Sequence, residues 1–291
     1  MEPDINRHAL TGQRVIITGG NSGIGLVTAK QLAAKGATVL IAGRASDKTE
    51  AALQSINAEA VTPARNLAVD LGSLASVEAL IESVQREGEP IDVLINNAGC
   101  FPTKAQTTED GFELQIGVNH LAHMKLTLGL LPQLLSAPSA RVITVSSMLH
   151  KKGKINTTSF RTTKGYNAQT AYAQSKLANV LFAFALARRL EETPVTSNAL
   201  HPGGVRTDIV RDLPWIVRML IGLVFISAER GAETSIMLAS DPAYQSITGR
   251  YFDQGKEVSA ANIALNVEAQ ETLWSESLAL LGLEEPALAH R

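Results

Sequence analysis

A chain of 291 residues holds one large α/β domain or two smaller ones, and a fold of this size buries about three-quarters of its extended surface without disulfide staples. Its one cysteine, Cys100, excludes a disulfide framework and a cysteine-based zinc site and fits a reducing compartment. With 26 basic residues against 28 acidic, a net charge of −2 and no basic stripe, the electrostatic footprint of a nucleic-acid binder is missing.

Met1 to Arg7 has neither the charged n-region nor the apolar h-region of a signal peptide, so a cytoplasmic chain is expected. Arg14 to Thr18 predicts a buried strand, and Gly23 to Lys35 a helix closed by Gly36. Thr38 to Ala42, Asn66 to Val69, Asp92 to Ile95, Arg141 to Val145 and Val195 to Leu200 predict further strands, with helical patterns between them. Such alternation predicts βαβ units in one domain over residues 1–291. Its architecture would be a Rossmann-type, doubly wound parallel sheet of about seven strands, flanked by helices on both faces. Parallel strands covered on both faces are almost wholly apolar, as Val15-Ile16-Ile17 is.

Two stretches interrupt the series, both at carboxyl ends of predicted strands, where open α/β sheets bind ligands. One is a polar loop over about 148–171, carrying Lys151, Lys152 and Lys154, for which a solvated loop is the expected reading. The other, about 208–227, contains an apolar run from Leu213 to Ile226 with Arg218 inside it. That run is shorter than the ~20 apolar residues a bilayer requires, so no membrane span is expected. Ile216, Met219, Leu220 and Leu223 fall at helical spacing, which suits an apolar lid, a membrane-surface helix, or a core or dimer contact.

The first strand leads into Gly19-Gly20-Asn21-Ser22-Gly23-Ile24-Gly25 and then a helix. Glycines let the turn tighten and its backbone N–H groups approach a pyrophosphate, and the helix N-terminus favours the anion. Dinucleotide binding by Gly19, Asn21, Ser22, Gly23, Ile24 and Gly25 is the reading of this position. At the end of the second strand, where an acid would bind a ribose 2′-hydroxyl, stands Gly43 followed by Arg44. A guanidinium binds a 2′-phosphate bidentately, so NADP(H) is expected over NAD(H). Asp47 falls at the start of the next helix, where an acid also suits capping.

Of the four tyrosines only Tyr172 has a lysine four residues on, in Tyr172-Ala173-Gln174-Ser175-Lys176. On a helix these share a face, so phenol and ammonium point into one cleft. A phenol titrating near ~10 is a poor proton shuttle at neutral pH, and a nearby cation brings it closer to the working range. His120, His123 and His150 show no pairing with acids at metal-ligand spacing, and His201 is expected to be packed; no metal is assigned.

The Gly19/Gly23/Gly25 spacing, with Asn96-Asn97-Ala98-Gly99 and the Tyr172/Lys176 pair, resembles the short-chain dehydrogenase/reductase family over about residues 12 to 283. The segments Ser147-Met148-Leu149-His150, Tyr172 to Asn179, His201-Pro202-Gly203-Gly204-Val205-Arg206-Thr207 and Gly249-Arg250-Tyr251-Phe252 are similar to its retinol-dehydrogenase-like branch. That branch acts on lipophilic alcohols and aldehydes, mostly with NADP(H), and many of its members carry an amino-terminal membrane anchor. The resemblance implies that Tyr172 exchanges a proton with the substrate oxygen and that Lys176 binds the nicotinamide ribose and lowers the phenol pKa. It further implies that Ser147 hydrogen-bonds the substrate and that Asn119, on a helix, holds a water in the proton relay. Ser146 would pack at the strand end. Asp70 and Leu71 would lie at the adenine, with a helix cap before Ser73 as the alternative for Asp70. Asn97, Ala98, Gly99, Pro202, Gly203, Val205 and Thr207 would flank the cofactor.

The implied activity is hydride transfer between NADP(H) and an apolar carbonyl/alcohol pair. Reduction of a carbon–carbon double bond in a pigment or polyketide-like substrate, and non-catalytic NADP(H) sensing, stay open as alternatives. The resemblance also allows a homodimer through the helices bearing Asn119 and Tyr172.

Overall fold

The computed structural model describes residues 9–203 and 227–286. The predicted lid run Leu213 to Ile226, together with Val205 and Thr207, lies outside the described residues.

Eight strands form one sheet in the order β3-β2-β1-β4-β5-β6-β7-β8. They are β1 (Arg14–Thr18), β2 (Thr38–Gly43), β3 (Arg65–Ala68), β4 (Val93–Asn96), β5 (Ala140–Val145), β6 (Val195–His201), β7 (Tyr251–Asp253) and β8 (Lys256–Val258). The first seven run parallel; β8 adds an eighth, antiparallel strand to the seven expected. Between β7 and β8, Gln254 and Gly255 both have positive φ, 47° and 81°, as a two-residue type I′ hairpin turn requires.

Val15, Ile16 and Ile17 of β1 are wholly buried, and their alternation divides the core. Ile16, with Leu40, Leu94 and Val142, packs on α3 (Leu74–Glu87) and α5 (Ala122–Gly129). Val15 and Ile17, with Ile41, Ile95 and Ile143, pack on α1 (Gly23–Ala34) and α8 (Ala228–Ser240). The chain builds outward from β1 to β3, then crosses back to lay β4 on the other side of β1. The order therefore reverses between β1 and β4, and their carboxyl ends open the crevice where α/β sheets bind ligands.

The 22-residue helix α7 (Ala168–Arg189) is buried over most of its length. A helix apolar on all sides needs cover on all sides. The sheet supplies one wall, and α10 (Val267–Leu281) supplies another. Trp274 of α10 stacks on Phe182 with ring centroids 5.9 Å apart, holds the Arg189 guanidinium 4.0 Å above its ring, and donates its indole N–H to Glu285 at 2.8 Å. Trp274→Ala is expected to cost about 3–5 kcal/mol of unfolding free energy in urea titrations, the range for emptying such a site. A loss under about 1 kcal/mol would show that α10 is dispensable cover.

The loop between β5 and α7 contains short 3-10 turns at Met148–Lys152 and Thr157–Arg161, with Phe160 buried and Lys151, Lys152 and Lys154 exposed. Tyr166 pins it by donating its hydroxyl to the Pro102 carbonyl at 2.6 Å while accepting from Gln115 at 2.8 Å. Among the described residues no helix is long and apolar enough to cross a membrane.

Candidate active site

The turn after β1 is built for close approach. Gly19 and Gly23 adopt positive φ, 67° and 51°. A Cβ on Gly25 would meet the Gly19 carbonyl oxygen at 2.4 Å and Asn97 Nδ2 at 2.5 Å, so only hydrogen fits there. Helix α1 starts without a side-chain cap from Ser22 and with no acid in its first turn. Its leading N–H groups therefore face the cleft ready for an anion, beside a cradle that side chains would fill. This chain's loop thus fits the pyrophosphate of a dinucleotide.

Asn21 donates to Thr49 Oγ1 at 2.9 Å, and the Thr49 hydroxyl donates to the Arg44 carbonyl at 2.7 Å. The backbone of Arg44 is thereby held to the glycine turn, while its side chain is exposed. A Cβ on Gly43 would meet nothing nearer than Asn21 at 3.8 Å, which leaves open space at that position. Ser46, not Asp47, caps α2 (Asp47–Asn57) by accepting from the Thr49 N–H, and Asp47 is in the first turn. Asp70 is exposed and accepts from the Gly72 N–H at 2.8 Å. It does not cap α3: the cap position is Ser73, and the Leu74 N–H goes to Asp110 at 2.9 Å. Leu71 is buried beside it.

At the end of β4, Asn97 and Ala98 both donate their backbone N–H to Thr18 Oγ1 at 2.9 Å, and the Asn97 side chain donates to the Thr18 carbonyl at 2.7 Å. A Cβ on Gly99 would touch Asn119 Oδ1 at 3.4 Å and Lys176 Nζ at 3.5 Å. Pro202 and Gly203 are buried at the end of β6.

Ser147, Tyr172, Lys176 and Asn119 converge beyond the carboxyl ends of β4 and β5. Ser147 lies beside the Tyr172 phenol and favours its ionised form. Lys176, 2% exposed, lies with Nζ 5.5 Å from the Tyr172 ring centroid and donates to the Val145 carbonyl at 3.1 Å. Ser146 packs as expected, donating to the Lys176 carbonyl at 2.7 Å. Burial lowers the Lys176 pKa to about 8. Burial also pushes the phenol of Tyr172 above its ordinary value, with neighbouring Cys100 adding to the rise and Ser147 opposing it. Desolvation outweighs any lowering by the lysine, whose ammonium lies over the ring face.

Asn119 is not in an ordinary helix. It is buried in a π-helical turn, Gly117–Leu121, inserted between α4 (Leu114–Ile116) and α5. Such turns add one residue to the helical ladder and recur at functional sites. Its side chain is fully engaged: Oδ1 accepts from the Cys100 N–H at 2.8 Å, and Nδ2 donates to Ser175 Oγ at 2.9 Å and to the Cys100 carbonyl at 3.2 Å.

One aromatic neighbour escaped the sequence reading. Phe101 sets its ring edge-to-face on Tyr172 with centroids 5.2 Å apart; its place just after Asn97-Ala98-Gly99-Cys100 was the available signal. His150 donates Nδ1–H to the Ser147 carbonyl at 2.7 Å and accepts from the Ala261 N–H at 3.0 Å. His201 is packed, 5% exposed, and burial lowers its pKa. Burial raises the Cys100 thiol to about 12, so it carries no thiolate. Among the described residues no group of three or more His, Cys, Asp or Glu could hold a metal.

The short chain dehydrogenase family model matches residues 13–214. Human retinol dehydrogenase 14 is 42% identical over 292 residues, covering 94% of this chain and 87% of that protein. Mouse polyprenol dehydrogenase is 40% identical over 282 residues, covering 93% and 84%. Among solved structures, an uncharacterised protein from Mycobacterium paratuberculosis superposes with a TM-score of 0.78 at 35% identity, over 95% of this chain and 96% of that one. A Shigella flexneri short chain dehydrogenase complexed with NADP shares the fold at 23% identity, with a TM-score of 0.69 over 86% and 100%. With the glycine cradle, the Tyr172/Lys176 helix and these relatives in agreement, the chain belongs to the short-chain dehydrogenase/reductase family of oxidoreductases, in its retinol-dehydrogenase-like branch.

Proposed function

We propose that the chain is an NADP(H)-dependent oxidoreductase acting on lipophilic carbonyl/alcohol pairs, with Tyr172 as the general acid and base. The observation that carries this reading is the Tyr172 phenol, beside Ser147 with the Lys176 ammonium over its ring, at the crevice next to the glycine cradle. When bound, NADP(H) supplies or accepts hydride. The turn over Gly19, Asn21, Ser22, Gly23, Ile24 and Gly25 holds its pyrophosphate. Asp70 and Leu71 line the adenine end. Asn97, Ala98, Gly99, Pro202 and Gly203 would flank the cofactor, as would Val205 and Thr207, which lie outside the described residues. Lys176 binds the nicotinamide ribose.

In the reducing direction Tyr172 gives its proton to the substrate oxygen, and in the oxidising direction it takes that proton back. Ser147 donates a hydrogen bond to the same oxygen. Because the Asn119 side chain is spent on Cys100 and Ser175, its water-holding role falls to its backbone carbonyl. Retinol and polyprenol dehydrogenases as relatives, with Phe101 against Tyr172, support an apolar substrate. Since α10 packs against the helices bearing Asn119 and Tyr172, through Ser277 to His120 and Trp274 on Phe182, we assign no homodimer to that face. The single reduced cysteine suits the cytoplasm.

Following NADPH oxidation against paired lipophilic and hydrophilic carbonyls tests the reading. Turnover confined to the lipophilic set is expected; tight NADPH binding without turnover on any carbonyl would favour a cofactor sensor. For the cofactor choice, Arg44→Ala should remove a charge-assisted contact worth about 1.5–3 kcal/mol, weakening NADPH roughly 10- to 150-fold. NADH affinity should change little. Equal losses for both, measured by titration calorimetry, would remove the 2′-phosphate role.

A further inference from the structure

His123 is 1% exposed, one turn beyond Asn119, and the proposed chemistry does not use it. Its Nδ1 is 3.0 Å from the Asn119 carbonyl, which only accepts, so Nδ1 carries the proton. Its Nε2 is 2.8 Å from Thr18 Oγ1. Thr18 Oγ1 already accepts two N–H groups, from Asn97 and Ala98, which uses both of its lone pairs. Its single proton must therefore be donated, and Nε2 at 2.8 Å is nearer than the alternative, the Ile95 carbonyl at 3.4 Å. A bare Nε2 is what a neutral ring with a protonated Nδ1 presents. Burial, with Lys176 adding to it, keeps that ring neutral, at a pKa of about 4; His120 is the other titratable neighbour.

The hydrogen bonds then run in one direction, from the Asn97 and Ala98 amides to Thr18, from Thr18 to His123, and from His123 to the Asn119 carbonyl. We infer that His123 is a positioning residue: as a neutral Nδ1–H ring it ties the π-turn carrying Asn119 to the nucleotide side of the crevice, so that the two are set as one unit. The inference rests on the role given above to the Asn119 carbonyl, because that carbonyl is the atom His123 grips. A misplacement of about 1 Å at such a point costs about 10²-fold in rate.

Long-range proton–nitrogen NMR of histidine-labelled full-length protein reads the tautomer without any variant. The expected result is a His123 ring with Nδ1 protonated and Nε2 bare, unchanged between about pH 5 and about pH 8, where free histidine titrates. In kinetics, His123→Leu and Thr18→Val should lower kcat by about 10²-fold with little change in carbonyl KM. His123→Asn, which keeps an N–H near the Nδ1 position, and Thr18→Ser should each remain well above their apolar counterparts. An Nε2–H tautomer, a ring that titrates in this range, or Thr18→Ser as impaired as Thr18→Val would overturn the inference. If the wild type turns nothing over, the oxidoreductase reading fails alone. The inference is then judged by the tautomer and by NADPH affinity, which Thr18→Val should weaken more than Thr18→Ser.

Discussion

Tyr172→Phe is expected to lower kcat by about 10²–10⁴-fold, the span of general acid–base catalysis, while NADPH affinity stays within a few-fold. The substitution removes one oxygen and leaves the ring in place. Phe101 keeps its edge contact at 5.2 Å and Lys176 keeps its place over the ring at 5.5 Å. The Ser147 hydroxyl remains beside the ring, but an aliphatic alcohol yields its proton far less readily than a phenol. Since burial, with Cys100 adding to it, holds the Tyr172 phenol above its usual range, its proton is firmly held in the resting crevice and is given up only to an oxygen that gains electrons. Steady-state kinetics beside calorimetric NADPH titration separate the two effects. Full activity in the phenylalanine variant would overturn the proposed mechanism.

Lys176→Met should abolish turnover yet leave the protein at least as stable at neutral pH. The ammonium is 2% exposed, and its pKa of about 8 is below the ordinary 10.5. Between those two values the unfolded chain holds more protons than the folded one, so this group makes stability rise with pH through that window. Below about pH 8 the full cost of burying the charge is present, about 3 kcal/mol by the size of the shift. Methionine fills a similar volume without the charge. The difference between wild type and variant in urea unfolding should therefore shrink from neutral pH to about pH 10. For the same reason the lysine loses its proton as pH rises through about 8 in the cofactor-free protein, and NADPH affinity should fall along that limb in the wild type only. A variant that is less stable at neutral pH, or that still turns over, would contradict this account.

How much of this was legible in the sequence depends on whether a residue's role is local. β1 was read to the residue, because an unbroken apolar run ending at glycines allows little else. The glycine turn and the Tyr172/Lys176 face followed from spacing along single elements, and the packing of Ser146 from the family resemblance. β8 was missed because Lys256, Glu257 and Val258 are all exposed and carry no alternation; the Gln254-Gly255 turn was its only mark. The π-turn at Asn119 was hidden because one inserted residue leaves a helical pattern intact. Capping by Ser46 instead of Asp47 turned on which of two adjacent polar residues adopted an extended backbone. The rise in the Tyr172 pKa needed the depth of the crevice, and the Thr18–His123–Asn119 chain needed three elements brought together. None of these has a signature in a single stretch of sequence.

The central claim is hydride transfer to a carbonyl carbon with Tyr172 supplying the proton. NADPH deuterated at its hydride-bearing ring carbon, incubated with a lipophilic aldehyde or ketone, tests it by mass spectrometry of the product. The account predicts one deuterium on the carbinol carbon with wild-type protein and almost none in the same time with Tyr172→Phe. Deuterium at a former carbon–carbon double bond, or equal labelling by the two proteins, would contradict it.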